Sequence, residues 1–322
     1  MRPPHTCSRR SKSTCAGREQ ARERSTGLIV HLVDGTYELF RQYHGQKTRP
    51  RRAVDGREVA ATIGVVRSVL TMVSEGARLL GVATDHVIES FRNEMWAAYK
   101  DGSGVPRDLS GQFQLLEDAL VAAGVHLWPM VELEADDALA SAAAVAADDP
   151  EVDQVVIWTP DKDLAQCVRD GRVVQYDRRN RLLFDEPAVL AKFGVLPPSI
   201  PDWLALVGDS ADGFPGIAGW GKQTSAVVLA RYAHLEQIPA SAETWDETVV
   251  RKLRRAPALA TTLQENFASA LLFRDLATAR VDRSLLVSVG ELEWRGPRRD
   301  FAEMCEYLGA PDLSRFAASL AR

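Results

Sequence analysis

Residues 28–34, LIVHLVD, form a short apolar run that ends in an aspartate and is followed by glycine. An apolar run of this length, closed by a turn signal, is typical of a strand buried on both faces. Residues 155–159 form a second such run, rich in β-branched side chains, which leads through a proline to Asp161. A weaker candidate, residues 80–85, also ends in an aspartate, Asp85. The sequence therefore predicts three strands that each lead into an acid.

Helical segments alternate with these strands. The stretches predicted as helices are residues 59–80, 90–100, 109–123 and 135–147, and a further strand is predicted at 125–131. Such alternation indicates an α/β domain with a mainly parallel sheet and helices on both faces. After about residue 187 the strand pattern fades, and a smaller helical domain is expected. The predicted division is a basic tail, residues 1–26, an α/β domain, residues 27–186, and a helical domain, residues 187–322.

The composition indicates a globular protein that is not expected to bind or cross a membrane. The chain has 322 residues, 46% of them hydrophobic, which is enough for one large domain or two modest ones. No apolar run approaches the length that crosses a bilayer, so a soluble, cytoplasmic protein is expected. The four cysteines show neither metal-ligand spacing nor a disulfide framework, which fits a reducing compartment.

The N-terminal segment, residues 1–26, differs from the rest of the chain. It contains many Lys and Arg residues and almost no apolar ones, so it cannot bury enough surface to order itself. A disordered, dispensable tail is predicted. A nucleic-acid-binding arm, a targeting segment and a misassigned start codon remain alternatives. Without this tail the chain is strongly acidic, which argues weakly against a nucleic-acid partner.

Nine acidic residues fall at positions where a folded α/β sheet gathers charge. Ligands bind beyond the carboxyl ends of the strands in such sheets, and acids crowded there repel one another by about 4 kcal/mol per pair near 4 Å. Hard cations, Mg²⁺ or Mn²⁺, are therefore the expected partners. Each acidic group alone is also typical of a helix start or a solvated turn. The predicted metal ligands are Asp34, Asp85, Glu134, Asp136, Asp137, Asp161, Asp163, Asp209 and Asp212.

The segment GDSADGFPGIAGWGKQTSAVVLARY, residues 208–232, is the strongest local signal. Its glycines permit a tight hairpin, and the helix that begins near Lys222 presents free N–H groups to an anion such as a DNA phosphate. The predicted DNA-binding residues here are Gly216, Gly219, Gly221, Lys222 and Thr224. The segment also imitates a nucleotide-binding P-loop, but Gln223 stands where Ser or Thr is required. An ordinary loop between helices is the alternative.

A second nucleic-acid candidate is SFRNEMWAAYK, residues 90–100. On a helix, Arg92, Trp96, Tyr99 and Lys100 fall within one broad face. Basic and aromatic side chains together suit a single strand, because they contact phosphates and stack on bases. The alternative is a surface helix with a buried tryptophan.

Taken together, the motifs resemble the 5′-nuclease family, which includes flap endonucleases and the 5′→3′ exonuclease domain of bacterial DNA polymerase I. The resemblance spans about residues 28–320, and its motifs are VDGTYELFR, TDHVIESFRNEMWAAYK, ELEADDALAS, WTPDKDLAQ and GDSADGFPGIAGWGKQTSA. It implies a PIN-like, Rossmann-like α/β domain with a helical arch, and a smaller helical domain with a helix–three-turn–helix element. The chain looks like a free-standing member of this family.

The resemblance also implies roles for the candidate residues. The nine acids match the family's ligands for two metal ions. Arg92 and Lys100 match catalytic basic residues at the base of the arch. The glycine hairpin matches the helix–three-turn–helix element, which in relatives can also bind K⁺ through backbone carbonyls.

The resulting hypothesis is a two-metal phosphodiesterase that acts on DNA near a 5′ end, in repair or replication. Asp34, Asp85, Glu134 and Asp136 would form the tighter metal site, and the remaining acids the second. The expected substrate is DNA with a 5′ end, a flap or a nick, and a DNA polymerase or sliding clamp is a further candidate partner. A non-catalytic binder of branched DNA and a PIN-type RNA nuclease are the alternatives. The balance between exonuclease and flap cleavage stays open.

Overall fold

The computed structural model describes residues 27–45 and 50–321 of the chain. The predicted tail, residues 1–26, lies outside the described residues. Within the described ranges, no helix combines the length and the apolar character that crossing a membrane requires.

The described strands form one mixed sheet of six, in the order β3-β2-β1-β4-β5-β6. The strands β1 to β5 pair in parallel, and β6 pairs antiparallel with β5. Their bounds are β1 Leu28–Asp34, β2 Leu79–Asp85, β3 His126–Met130, β4 Val152–Trp158, β5 Val173–Asp177 and β6 Leu182–Phe184. The prediction of a mainly parallel sheet is confirmed.

The strand order places a topological switch point between β1 and β4. The chain builds outward from β1 through β2 to β3, and then crosses to the other side of β1 to form β4. At such a point the connections that follow the two neighbouring strands diverge, which leaves a crevice at their carboxyl ends. Asp34 is the last residue of β1, and Asp161 follows β4. The sheet topology therefore brings these two acids to the same crevice.

The helices of the described chain fall into those that cover the sheet and those that follow it. They are α1 Gly35–Gly45, α2 Ala60–Ser74, α3 Phe91–Met95, α4 Arg107–Ser110, α5 Phe113–Ala122, α6 Ala135–Asp148, α7 Glu186–Phe193, α8 Ile200–Val207, α9 Lys222–Tyr232, α10 Glu247–Lys252, α11 Ala256–Glu265, α12 Phe267–Ala277, α13 Phe301–Tyr307 and α14 Pro311–Leu320. Short 3₁₀ turns connect several of them.

Helices cover both faces of the sheet, because alternate residues of each strand point to opposite sides. In β1, Leu32 packs on the face covered by α6, whereas Val33 packs on the face covered by α2 and α5. The helix α6 is rich in alanine, and its small side chains are buried against β1 and β4. A close approach of α6 to the sheet follows, and this approach places the acidic first turn of the helix beside the strand ends.

A separate hydrophobic core holds the helical part together. It contains Trp203 and Leu204 of α8, Val228 of α9, Leu263 of α11 and Phe273 of α12. The helices α8 and α12 pack directly on each other. This core begins near the end of the sheet and continues to residue 277, so a helical unit after the α/β domain is present as predicted.

The last segment of the chain returns to the α/β sheet. Leu286 and Leu292 pack with β1 on one face, and Phe301 and Leu313 pack with α2 on the other. The predicted helical domain, residues 187–322, therefore needs a correction, because its last part completes both cores of the sheet. Helical periodicity shows that a helix has an apolar face, but it does not show which surface covers that face.

Three predicted helices have different bounds in the structure. The predicted helix at 59–80 ends at Ser74, and Gly76, with a φ of +107°, turns the chain into β2. The segment 90–100 is helical only in α3, because Trp96 adopts an extended conformation. The predicted helix at 109–123 is divided into α4 and α5.

The docking of the last segment can be tested with Phe301→Ala. Phe301 is 1% exposed in the core formed with α2, so its truncation should lower the free energy of unfolding by about 3–5 kcal/mol. The exposed neighbour Arg299 serves as the control, since Arg299→Ala should change it by less than about 0.5 kcal/mol. Urea denaturation measures both. Equal effects would show that the segment does not belong to the core.

Candidate metal centre

Asp34 is held at the end of β1 by two hydrogen bonds. One carboxylate oxygen accepts the Tyr37 N–H at 2.8 Å, and the other accepts the Thr159 hydroxyl at 2.9 Å. Burial raises the pKa of Asp34 to about 7, the bond from Tyr37 opposes this shift, and the charge of Asp85 adds to it. The carboxylate thus has a defined orientation in an environment where its charge is costly.

Asp85, the last residue of β2, and Asp136, in the first turn of α6, lie beside Asp34. An oxygen of Asp85 accepts the Ala135 N–H at 2.8 Å, and a helix N-terminus favours such a carboxylate. Burial raises the pKa of Asp85. Burial, followed by the charges of Asp161 and Asp34, raises the pKa of Asp136 well above its usual range. These acids therefore lie within electrostatic reach of one another.

Three further acids form the tightest group. Asp163, Asp209 and Asp212 each offer an oxygen, and these oxygens lie within 4.8 Å of one another. Asp163 belongs to the loop after β4, whereas the other two belong to the loop after α8. Burial, followed by the charge of Asp161, raises the pKa of Asp163 well above its usual range. Burial also raises the pKa of Asp212. The site is thus assembled from the sheet and from the helical unit.

A backbone clamp holds the loop that follows α8. The Asp209 N–H donates to the Phe214 carbonyl at 2.8 Å, and the Phe214 N–H donates back at 3.0 Å. The Phe214 ring is buried in the helical core and stacks on Phe273 at 5.6 Å between centroids. The packing of the helical unit therefore sets the position of Asp209 and Asp212.

The residues fit a hard cation. One oxygen of Asp163 is buried and has no hydrogen-bond partner among the described residues. A buried polar atom without a partner is costly, so such atoms usually have a role that the protein alone does not satisfy. Here the atom is a carboxylate oxygen beside two other carboxylates, which is the donor set that Mg²⁺ or Mn²⁺ prefers.

Two lysines offset part of the negative charge. The Lys100 ammonium lies 2.8 Å from a Glu134 oxygen and 3.3 Å from an Asp212 oxygen. The Lys162 ammonium pairs with Asp209. Burial opposes the charged form of Lys100, but the charges of Asp212 and Glu134 prevail and raise its pKa well above the usual range. Both lysines therefore remain charged inside the acidic cluster.

Arg92 and Asp137 are corrections to the predicted site. Arg92 is 3% exposed and donates two hydrogen bonds of 2.8 Å to the two oxygens of Asp137. The same carboxylate accepts the backbone N–H groups of Glu134 at 2.9 Å and Arg280 at 2.7 Å. Both oxygens of Asp137 are thus occupied, so this residue is not a free metal ligand. Arg92 is buried behind the cluster and is not available to a phosphate.

Glu134 is linked to both cations of the 90–100 segment. One oxygen accepts the Ser90 hydroxyl at 2.6 Å and lies 3.2 Å from Arg92. Burial alone would raise the pKa of Glu134, but the charges of Lys100 and Arg92 lower it. Glu134 therefore stays ionised, and Arg92 acts on the site by holding the ligands in place.

Trp96 and Tyr99 also differ from their predicted roles. The Trp96 ring packs edge-on against Phe273, and its N–H donates to the Gly213 carbonyl at 3.0 Å. Tyr99 is 5% exposed, and its hydroxyl donates to Glu134 at 3.4 Å. The buried Tyr99 ring is not available to a base, whereas Trp96 is half-buried. Trp96 connects the segment that carries Lys100 to the loop that carries Asp212, and Tyr99 connects the same segment to Glu134.

The glycine hairpin has the predicted backbone. Gly216 has a φ of +73°, and a side chain there would meet the Gly208 nitrogen at 2.4 Å, so only glycine fits. Gly219 also has a positive φ, whereas Gly221 is extended and stands before α9 without a side-chain cap. The first turn of α9, which includes Lys222 and Thr224, therefore has free N–H groups. Lys222 is exposed and Thr224 is half-buried.

Sequence reasoning missed two sets of basic residues. Lys162 lies between two predicted ligands, and the pattern Asp-Lys-Asp was visible but carried no sign of the ion pair with Asp209. The run RKLRR, residues 251–255, was a visible sign of a basic surface near the hairpin.

The pairing of Arg92 with Asp137 can be tested by stability. Arg92→Met leaves a buried carboxylate without its cation, so the free energy of unfolding should fall by about 3–5 kcal/mol. In an Asp137→Asn background the same substitution should cost at least about 1 kcal/mol less, because the buried charge is gone. Arg107→Met, on the exposed surface of α4, is the control. An Arg92 that only contacts phosphate would leave stability at the control value.

Comparison with known proteins agrees with this architecture. A family model described as the 5′-3′ exonuclease N-terminal resolvase-like domain matches residues 29–194, and one described as the 5′-3′ exonuclease C-terminal SAM fold matches residues 195–300. Solved structures share the fold. They include T5 5′-exonuclease with bound zinc, at a TM-score of 0.60, 17% identity and coverage of 91% of this chain and 98% of that one. The catalytic core of Rad2 with a DNA substrate has a TM-score of 0.58, 16% identity and coverage of 91% and 92%.

Similar sequences include DNA polymerase I of Pseudomonas aeruginosa, which is 34% identical over 84% of this chain and 29% of its own length. The 5′-3′ exonuclease of Aquifex aeolicus is 32% identical over 65% of this chain and 71% of its own length. The chain spans 24% to 29% of the first DNA polymerase I relatives. With both family models matched in order along one fold, the chain belongs to the 5′-3′ exonuclease family.

Proposed function

We propose that this protein is a metal-dependent phosphodiesterase that hydrolyses DNA near a 5′ end, as a 5′→3′ exonuclease and a flap endonuclease. The observation that carries the proposal is the meeting of acids from two separate cores in one crevice, with the oxygens of Asp163, Asp209 and Asp212 within 4.8 Å of one another. Family membership gives the class of reaction, and the printed descriptions of its relatives name exonucleases and DNA complexes.

The acids would hold two ions of Mg²⁺ or Mn²⁺. Two such ions activate water at neutral pH and stabilise the leaving oxygen of a phosphodiester. The proposed ligands of one ion are Asp34, Asp85, Glu134 and Asp136, and those of the other are Asp161, Asp163, Asp209 and Asp212. Glu134 accepts hydrogen bonds from side chains, which an ion would displace, whereas Asp137 is also held by two backbone N–H groups. The buried Asp163 oxygen, which accepts no hydrogen bond and lies 3.9 Å from the Lys162 ammonium, supports the second set.

Lys100 is the proposed catalytic cation of the site. Its side chain is 31% exposed and reaches into the acidic cluster from the segment after α3. A phosphate that enters the crevice would meet this ammonium, which stabilises negative charge that develops on the phosphoryl oxygens. Arg92 is proposed as a positioning residue, since it holds Glu134 and Asp137 from behind.

The glycine hairpin is the proposed grip on the duplex. The free N–H groups at the start of α9 and the exposed Lys222 suit a backbone phosphate, and such contacts read no sequence. Binding of K⁺ by the hairpin carbonyls is part of this proposal. Because the proposed substrate is DNA, we also propose a role in DNA repair or replication and a cytoplasmic location. A DNA polymerase or a sliding clamp is the proposed protein partner.

Cleavage of end-labelled DNA tests the proposed function. The protein with Mg²⁺ should shorten flapped and nicked duplexes from the 5′ end, and a chelator should stop the reaction. Asp163→Asn should abolish cleavage, because it removes a proposed ligand. The same change should raise the metal-free free energy of unfolding by about 1 kcal/mol or more, because it relieves repulsion among buried acids.

Asp153→Asn is the matched control for this experiment. Asp153 is an exposed residue of β4, so its loss should alter neither cleavage nor stability. Binding of flapped DNA without cleavage would favour a non-catalytic binder. Preferred cleavage of a matched RNA flap would favour a PIN-type RNA nuclease. Either result would replace the proposal.

The hairpin is tested separately with Lys222→Ala. Removal of one phosphate contact should make the dependence of log K on log salt shallower by about one, measured on a plain duplex in Ca²⁺. Gln223→Ala, at the neighbouring exposed position, keeps the charge and should leave the slope as it was. An unaltered slope for Lys222→Ala would show that Lys222 does not contact a DNA phosphate.

A further inference from the structure

The strand β6 forms one edge of the sheet, and its outer side is open. Among the strands of the described chain it pairs with β5 alone, and none of the isolated bridges there involves residues 182–184. An edge strand directs alternate N–H and C=O groups away from its sheet, so these groups of β6 can pair with a further strand. The sequence of β6, Leu-Leu-Phe, contains neither a proline nor a charge that would prevent such pairing.

The opposite edge of the sheet is protected, whereas the edge at β6 is apolar. In β3, the exposed Pro129 stands within the strand and lacks the N–H group that further pairing would use. In β6, Leu182 is 50% exposed and Leu183 is 51% exposed. A third exposed leucine, Leu190, belongs to α7, the helix that packs on β6. Exposed apolar side chains at an open edge favour contact with another strand over contact with water.

Opposite charges flank β6 at its two ends. Arg179 and Arg181 precede the strand, and Asp185 and Glu186 follow it. Within residues 27–45 and 50–321, neither of these two arginines forms an ion pair, and Glu186 forms none either. An antiparallel neighbour with the same sequence would therefore place the basic end of each strand beside the acidic end of the other. Opposite charges that face each other across a strand pair stabilise it, so β6 is complementary to itself.

We propose that β6 pairs antiparallel with β6 of a second copy of this chain, so that one sheet continues across a dimer. With Leu183 on the two-fold axis, Arg181 lies opposite the partner's Asp185, and the symmetry repeats this pair. A register shifted by one residue in either direction still places Arg179 or Arg181 opposite the partner's Glu186. The contact is the same patch on both copies, so it closes as a dimer and does not continue as a filament.

The proposed contact is separate from the metal centre. The strands β4 and β5 lie between β6 and β1, and none of the proposed metal ligands belongs to residues 179–186. The inference therefore does not depend on the proposed function.

Leu183→Asp tests the pairing, because it places two carboxylates opposite each other on the axis. Sedimentation velocity of the full chain, without DNA or metal, should show wild-type dimers whose fraction rises with concentration up to on the order of 100 µM, as expected of a small contact. Leu183→Asp should weaken dimerisation about ten-fold or more, since like charges directly opposite destabilise a strand pair. Val287→Asp alters a strongly exposed apolar residue elsewhere and should leave dimerisation unchanged.

An exchange of charges tests the antiparallel direction. The variant Arg179→Glu, Arg181→Glu is acidic at both ends of β6, whereas Asp185→Ser, Glu186→Arg is basic at both ends. Asp185 caps α7, and serine retains this cap. Each variant alone should be monomeric because like charges meet, and an equal mixture of the two should form a heterodimer. Thermal unfolding checks that every variant is folded.

Hydrogen exchange locates the contact. In the wild type at high concentration, the amides of residues 182–184 should exchange more slowly than in Leu183→Asp at the same concentration, because the outward groups of β6 are then paired.

The possible outcomes decide between dimer and monomer. A wild-type chain that stays monomeric over this range would overturn the proposal, and its cleavage of DNA would leave the proposed function in place. A dimer that Leu183→Asp and Val287→Asp weaken equally would overturn it too, since the contact would then lie elsewhere. Charge variants that each dimerise, or a mixture that stays monomeric, would exclude the antiparallel arrangement.

Discussion

Repulsion among buried carboxylates is the constraint around which this structure is arranged. The pKa of Asp34, Asp136 and Asp163 is raised chiefly by burial and then by neighbouring acids, so the fold holds these groups against an electrostatic cost. The fold tolerates this cost because Asp34 is fixed by hydrogen bonds from Tyr37 and Thr159, and because Lys100 and Lys162 contribute positive charge. Destabilised clusters of this kind persist where function requires them.

The cores of the α/β sheet and of the helical unit both position the acidic cluster. The sheet places Asp34 and Asp163, and the helical unit places Asp212 through the clamp at Phe214. Trp96 and Tyr99 connect the two units. Trp96 bonds to the loop after α8, and Tyr99, which packs in the helical core, bonds to Glu134 beside α6. A change in the packing between the two units would therefore move the acids relative to one another, even where no acid is altered.

Features that depend on local sequence pattern could be predicted from the sequence. Apolar runs that end in aspartate gave the strands and the edge at which Asp34, Asp85 and Asp161 lie, and the glycine spacing gave the hairpin. The sequence could not predict pairing and burial, which depend on tertiary contacts. Asp137 and Asp136 are adjacent and chemically identical, yet Asp137 faces Arg92 inside the protein. The C-terminal helices likewise have apolar faces whose partner, the sheet, is distant in sequence.

The distribution of charge explains how an acidic chain can suit an acidic ligand. The formal net charge is −5, but many acids are gathered in one crevice, where cations are proposed to neutralise them. Arg92 and Lys100 lie eight positions apart on one segment but differ in environment. Arg92 forms a buried ion pair with Asp137, whereas the Lys100 side chain is partly exposed. Exposed positive charge is present away from this crevice, as at Lys222 of the hairpin and in the run of residues 251–255 beside it. Local field, and not the sum of charges, decides where a polyanion binds.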